Sequence, residues 1–146
     1  MSASNAFETS LLNLIFKNVT IANYGDVIGL LGSATAGSLY IGLHTADPGE
    51  PGTQATSEAT YTGYARVAVV RTAGGWTVSG NTVSNAAAVL FGTCTAGSNT
   101  ITHFSVGSSL TGAGDLALSG ALTASLAVSA GITPSFAIGA LTATAD

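Results

Sequence analysis

Charge is scarce in this sequence. Lys17, Arg66 and Arg71 are its only strong cations, and with seven acids they make up 7% of the residues, against about 25% in ordinary soluble domains. Neutralising phosphates takes clustered Lys and Arg, so three scattered cations and a net charge of −4 argue against nucleic acid as a partner. The same shortage argues against an electrostatic hold on an anionic membrane. No apolar run approaches the roughly 18 residues that span a bilayer, so no membrane partner is expected. The opening residues, "MSASNAFETSLLNLIFKN", carry no basic region ahead of their apolar part and do not read as a signal peptide. Cys94 is the sole cysteine, which rules out an internal disulfide and suits a small packed core residue.

The motifs of common chemistries are missing too. There is no G-x-S-x-G nucleophile elbow and no G-x-x-x-x-G-K-[ST] phosphate loop, since the one lysine is Lys17. C-x-x-C pairs and H-E-x-x-H are absent. His44 and His103 both fall in predicted strands, and Asp47 lies three residues after His44. Strand neighbours point to opposite faces, however, and His44 to Asp47 runs into a turn, so a metal site is not expected. Each histidine is expected instead to bond backbone or hydroxyl groups at a strand edge or subunit contact. Asp47 with Glu50 or Glu58 would be the carboxylate pair of a glycosidase, but all three sit in a Pro/Gly/Thr/Ser segment with no sign of a deep pocket. No catalytic residue, metal ligand or cofactor site is assigned, and the chain is expected not to be an enzyme.

What is present is small and hydroxylated: Ala, Gly, Ser and Thr together exceed half of the chain. Such a composition implies a surface of hydroxyls, backbone and small side chains, part of it covered by other subunits. One segment predicts a long helix. Phe7, Leu11, Leu14 and Ile15 recur at i, i+4, i+7 and i+8, Asn5 can cap it with Glu8 three residues on, and Lys17 suits its C-terminus. "YGDVIGLLG" is a weaker second helix, interrupted by Gly25, Gly29 and Gly32. From Leu39 the period becomes two. "LYIGLH", "YARVAVVR", the hairpin "GWTVSGNTVSN" around Gly80-Asn81, "AAAVLF", "TITHFSV", "LALSGALTASLAV" and "PSFAIGALTATAD" follow as strand segments. "GALTAS" (Gly120 to Ser125) returns as "GALTAT" (Gly139 to Thr144), which is either two strands in related sheet environments or coincidence. Together these predict a mainly β fold: an antiparallel β-sandwich, jelly-roll or Ig-like, with an N-terminal α-helix. The organisation expected is a helical arm and connection over 1–37 and a β-sandwich domain over 38–146.

Candidate interface residues follow from the same reading. The helical stripe Phe7, Leu11, Leu14 and Ile15 needs a surface to cover. Asp47 and Glu50 lie on a long solvated loop. Tyr61 and Tyr64 flank "TG", and aromatics are favoured at interfaces. Arg66 and Arg71 have opposite parity on their strand, so each is expected to find its own acid, within or between subunits. Trp76 opens a hairpin strand and is expected to pack over one end of the sandwich, with carbohydrate stacking as the rarer use.

"LYIGLHTADPGEPGTQATSEATYTGYARVAV" followed by "GGWTVSGNTVSNAAAVLF" and "ITHFSVG" resembles a widespread family of small tailed-phage virion proteins. Its members are labelled tail-fibre proteins, and proteins of similar kind decorate capsids as cement subunits. The resemblance runs from about Leu11 to Asp146 and is strongest from Leu39 to Val106, where "LHTADPG" and "GYAR" are distinctive. Gly92 stands where family members often carry proline, and "YGDVIGLLGSATAG" departs from the usual polar connection. The resemblance implies a non-enzymatic bacteriophage virion protein, made in the bacterial host cytoplasm. A capsid decoration (cement) protein is the leading expectation: a homotrimer at three-fold sites, partnered by the major capsid protein. A tail-fibre or baseplate-associated protein engaging a host receptor, through Trp76 or the Asp47 to Ser57 loop, is the alternative.

Overall fold

The computed structural model describes residues 2–145. The fold is mainly β, with antiparallel sheets and an N-terminal helix, as the alternation of apolar residues predicts. In order, the elements are α1 (Asn5–Lys17), β1 (Ser38–His44), β2 (Val67–Val70), β3 (Trp76–Ser79), β4 (Thr82–Asn85), β5 (Val89–Leu90), β6 (Asn99–Gly107), β7 (Leu116–Val128), β8 (Ser135–Phe136) and β9 (Thr142–Thr144). The chain divides into two compact units that alternate along the sequence. One comprises Met1–Ser38, Val69–Ala88 and Phe136–Asp146; the other comprises Leu39–Ala68 and Val89–Ser135.

In the first unit α1 packs on the sheet β3-β4-β9. The hairpin forms at the predicted turn, with Trp76 opposite Asn85 and Ser79 opposite Thr82. Gly80 supplies the positive φ of 59° that this turn needs. The helix cap is Ser4, one residue before the expected Asn5: its Oγ accepts from the Phe7 amide at 3.3 Å. The buried face is also shifted. Glu8, Leu12 and Phe16 are buried, whereas Ile15 is 37% exposed and Phe7, Leu11 and Leu14 are half-buried. A run as apolar as "FETSLLNLIF" offers two overlapping stripes, and the one carrying Phe16 can reach Trp76. Their rings meet edge to face at 4.8 Å between centroids. Leu12, Phe16, Ile21, Trp76, Val83 and Leu141 form this unit's core.

"YGDVIGLLG" is not helical. Gly25 and Gly29 adopt φ of 83° and 82°, and the Asp26 carboxylate accepts from the amides of Ile28 and Gly29, both at 2.8 Å. That local turn replaces helix hydrogen bonds, and Ile21 and Leu30 then pair as an antiparallel bridge. At the helix end, Asn18 (φ 59°) clamps Ser33 through both side-chain atoms.

The second unit is built on the sheet β2-β1-β6-β7, whose strand β2 runs on past the unit boundary. β1 and β6 pair antiparallel from Tyr40 opposite Gly107 to His44 opposite His103. Ile41 through His44 are all buried, so β1 is covered on both faces rather than half-buried. β6 continues onto β7, but the register jumps between Ile101 opposite Leu126 and His103 opposite Ala121. Leu122 to Ser125 therefore bulge opposite a single residue. Ile41, Leu43, Tyr61, Phe91, Cys94, Ile101 and Val106 fill the core. The repeated "GALTA" lies in different settings: one copy spans this bulge, the other ends in β9 of the first unit.

Candidate functional site

The concentration of polar residues after β1 divides at the surface. His44, the last residue of β1, is fully buried. Its Nδ1 lies 2.8 Å from the Thr56 carbonyl and its Nε2 lies 2.7 Å from Ser105 Oγ. A carbonyl only accepts, so Nδ1 carries the proton and the Ser105 hydroxyl donates to Nε2. Burial pushes the imidazole below the usual histidine range, the Thr56 carbonyl and Glu58 pull it back, and Arg66 and His103 push it down. A hydroxyl at hydrogen-bond distance from an imidazole is also the geometry of an activated nucleophile. Here both partners are sealed from solvent, and the pair instead fastens the loop 45–58 to β6.

Glu58 and Arg66 form the second anchor. Arg66 Nε and Nη2 reach the two Glu58 carboxylate oxygens at 2.6 and 2.8 Å, a bidentate pair. Nη1 also donates to the Ser109 carbonyl, and Nη2 to that of Gly112. The Tyr64 hydroxyl donates to Glu58 at 2.9 Å and accepts from the Leu43 amide at 3.0 Å; its burial pushes the phenol well above the usual range. Gln54, also fully buried, donates to the Tyr40 carbonyl and accepts from the Ser109 amide. A side chain at Gly107 would collide with it.

The rest of the loop is outward. The Asp47 carboxylate accepts from the Gly49 amide at 2.9 Å, with Gly49 at φ 67°, which is the expected turn chemistry. Asp47 and Glu50 are exposed and rim an open groove of about 420 Å³ whose other wall is Leu116 to Ser119 of β7. A second open groove, of about 370 Å³, lies over the Glu58–Arg66 pair and Leu110. Among the described residues, no group of three or more His, Cys, Asp or Glu is placed to hold a metal ion.

The other candidate residues are distributed as follows. Phe7 stacks at a tilt on Tyr24, 5.3 Å between centroids. Tyr61 is buried and donates to the Gly92 carbonyl. Tyr64 lies between the rings of Tyr61 and Phe91. Arg66 takes the acid it was expected to need from its own chain, whereas Arg71 takes carbonyls: Leu14, Ile15 and Ala36 at 2.7, 2.6 and 3.2 Å. The first two belong to the last turn of α1, where carbonyls lack helical partners, so Arg71 caps the helix from outside. Trp76 is 2% exposed, and its indole N–H has no hydrogen-bond partner.

Two features went unseen in the sequence. Gln54 and Ser105 sit among Thr, Ser and Gly, where nothing in the pattern separates a buried amide from a solvated one. The segment after the helix carries Val27 at 82%, Leu31 at 64% and Ile28 at 59% exposure, with Val19, Tyr24 and Leu30 also exposed. Its hydropathy was visible; that the glycines would turn it outward was not.

The sequence matches, over residues 2–144, a family described as podophage GP4 fiber I protein gp80. No curated protein matches it.

Proposed function

Since the chain belongs to this podophage fiber protein family and is a phage virion structural protein, we propose that it is a non-enzymatic component of the tail fibre apparatus. The observation that carries the proposal is the apolar surface of the Val19 to Leu31 segment in a chain with 7% charged residues. Exposed apolar side chains concentrated in one segment point to a contact surface, and permanent interfaces are poor in charge. The two anchors of the 45–58 loop fit the same role. They tie the loop that carries Asp47 and Glu50 to the sheet through buried groups. Partners are other virion proteins and further copies of the chain, with no membrane or nucleic acid among them.

The test is electron microscopy of intact particles carrying a tagged chain. Label on the tail or its fibres is the expected result. Label confined to the head shell at three-fold positions overturns the tail assignment in favour of a capsid decoration protein bound to the major capsid protein as a homotrimer.

A further inference from the structure

β7 is an edge strand, and it is unusually open. It spans Leu116–Val128, and among the described residues its only ladder is to β6. No residue from Leu116 to Val128 is charged and none is proline. Long edges of this kind template further pairing, and monomeric proteins blunt them with charge, proline or a bulge; of these β7 carries only the bulge at Leu122 to Ser125. The groove beside Asp47 and Glu50 flanks the strand only as far as Ser119. Beyond it, Ala121 and Thr123 to Ala127 are exposed, and the register with β6 skips Leu122 to Ser125.

The sequence of this strand is close to its own reverse. Read outward from Leu122, Ala121 faces Thr123 in the sequence mirror, Gly120 faces Ala124 and Ser119 faces Ser125. Leu118 with Leu126, Ala117 with Ala127 and Leu116 with Val128 continue the symmetry. An antiparallel pair of identical strands related by a two-fold axis sets residue i against residue 244 − i when the axis passes Leu122. A self-facing interface requires each position to accept its own mirror, and a charge near the axis would meet its like. This strand satisfies both conditions.

We propose that β7 is the docking surface for a second copy of this chain, paired antiparallel over Ser119–Ser125 with the two-fold axis at Leu122. This stretch is centred on the mirror, and past Ser119 it lies clear of the groove with most of its residues exposed. Leucine then packs on leucine at the axis, small residues oppose small residues, and Ser119 meets Ser125 of the other copy, a hydroxyl pair that suits adjacent strands. A seven-residue ladder extends roughly 23 Å at about 3.3 Å per residue, so it buries less than a stable standard interface. The contact is therefore transient between free chains, where a disulfide across it traps it.

Register-specific cysteine cross-linking tests this. Opposed residues of an antiparallel pair lie about 4.5–5.5 Å apart at Cα, within disulfide reach, and Cys94 is buried and gives no background. Under mild oxidation of the full chain, Leu122→Cys is expected to shift from monomer to dimer mass on a non-reducing gel. Ala121→Cys and Thr123→Cys, each alone, are expected to shift weakly, and their mixture strongly. All three positions are exposed or half-buried, so folding is checked by comparing unfolding midpoints with the parent chain. Folded Leu122→Cys that stays monomeric, or single variants that cross-link as strongly as the mixture, overturns the proposal.

Discussion

Arg66 shows what a nearly uncharged chain does with a cation. Its guanidinium is buried and committed to Glu58 and two carbonyls. Removing one partner of such a pair leaves a buried charge unpaired. Glu58→Ala should therefore lower unfolding free energy by about 3 kcal/mol, read from urea midpoints; the double variant Glu58→Leu with Arg66→Met should lose less, because no charge remains to strand. His44 gives a pH dependence. Its pKa in the folded chain lies below the ordinary 6.5, so as pH falls below 6.5 the unfolded chain takes up a proton that the folded chain refuses. The stabilisation from neutral His44 is present above pH 6.5 and is lost as pH falls toward the folded value. Unfolding midpoints measured between pH 7.5 and 5 should decline for the parent chain and decline less for His44→Gln. At this scale the sequence was readable where a residue type restricts its own surroundings. The Asp47-Pro48-Gly49 turn and the need of Arg66 for an acid could be foreseen. The bonds of Gln54 and Ser105 could not, because their partners are 14 to 61 residues away and are mostly backbone.

Among the elements, those with long regular patterns were legible. β7 has the bounds that its apolar alternation suggests, and the β3–β4 hairpin turns at Gly80-Asn81. The short strands were not. β5 is two residues long within "AAAVLF", since alanines alternate with nothing and give a strand no face to bury. The Tyr24 to Gly32 segment failed as a helix through glycine conformation and the Asp26 turn. Glycine also separates two connections that look alike in sequence. Gly80 is at positive φ with open space where a side chain would point, while a Cβ on Gly92 would collide with the Gly63 carbonyl. Gly80→Ala should cost about 1 kcal/mol, the strain of a left-handed alanine. Gly92→Ala should cost more, about 2–3 kcal/mol, as overpacking against backbone does. Chemical denaturation of the two variants side by side checks the order.

For the whole molecule, the shortage of charge predicts an assembly protein, and the contact surface proposed for it is the apolar Val19 to Leu31 segment. Val27→Ser with Leu31→Ser should leave the unfolding free energy within about 0.5 kcal/mol, as exposed substitutions do, while sharply reducing incorporation into particles, measured by quantifying the chain in purified virions. Loss of stability together with incorporation would mean that these side chains serve the fold instead. The interleaving of the two compact units has a further consequence, in the order of synthesis. α1 is made before every segment of the second unit, yet its sheet is completed by β9, made after all of them. Contacts distant in sequence form slowly, so the helix leaves the ribosome with its apolar face uncovered until the β3–β4 hairpin that packs on it has been made. Translation itself thus holds back the finished subunit, and a chain interrupted before β9 is left with its β4 edge unpaired.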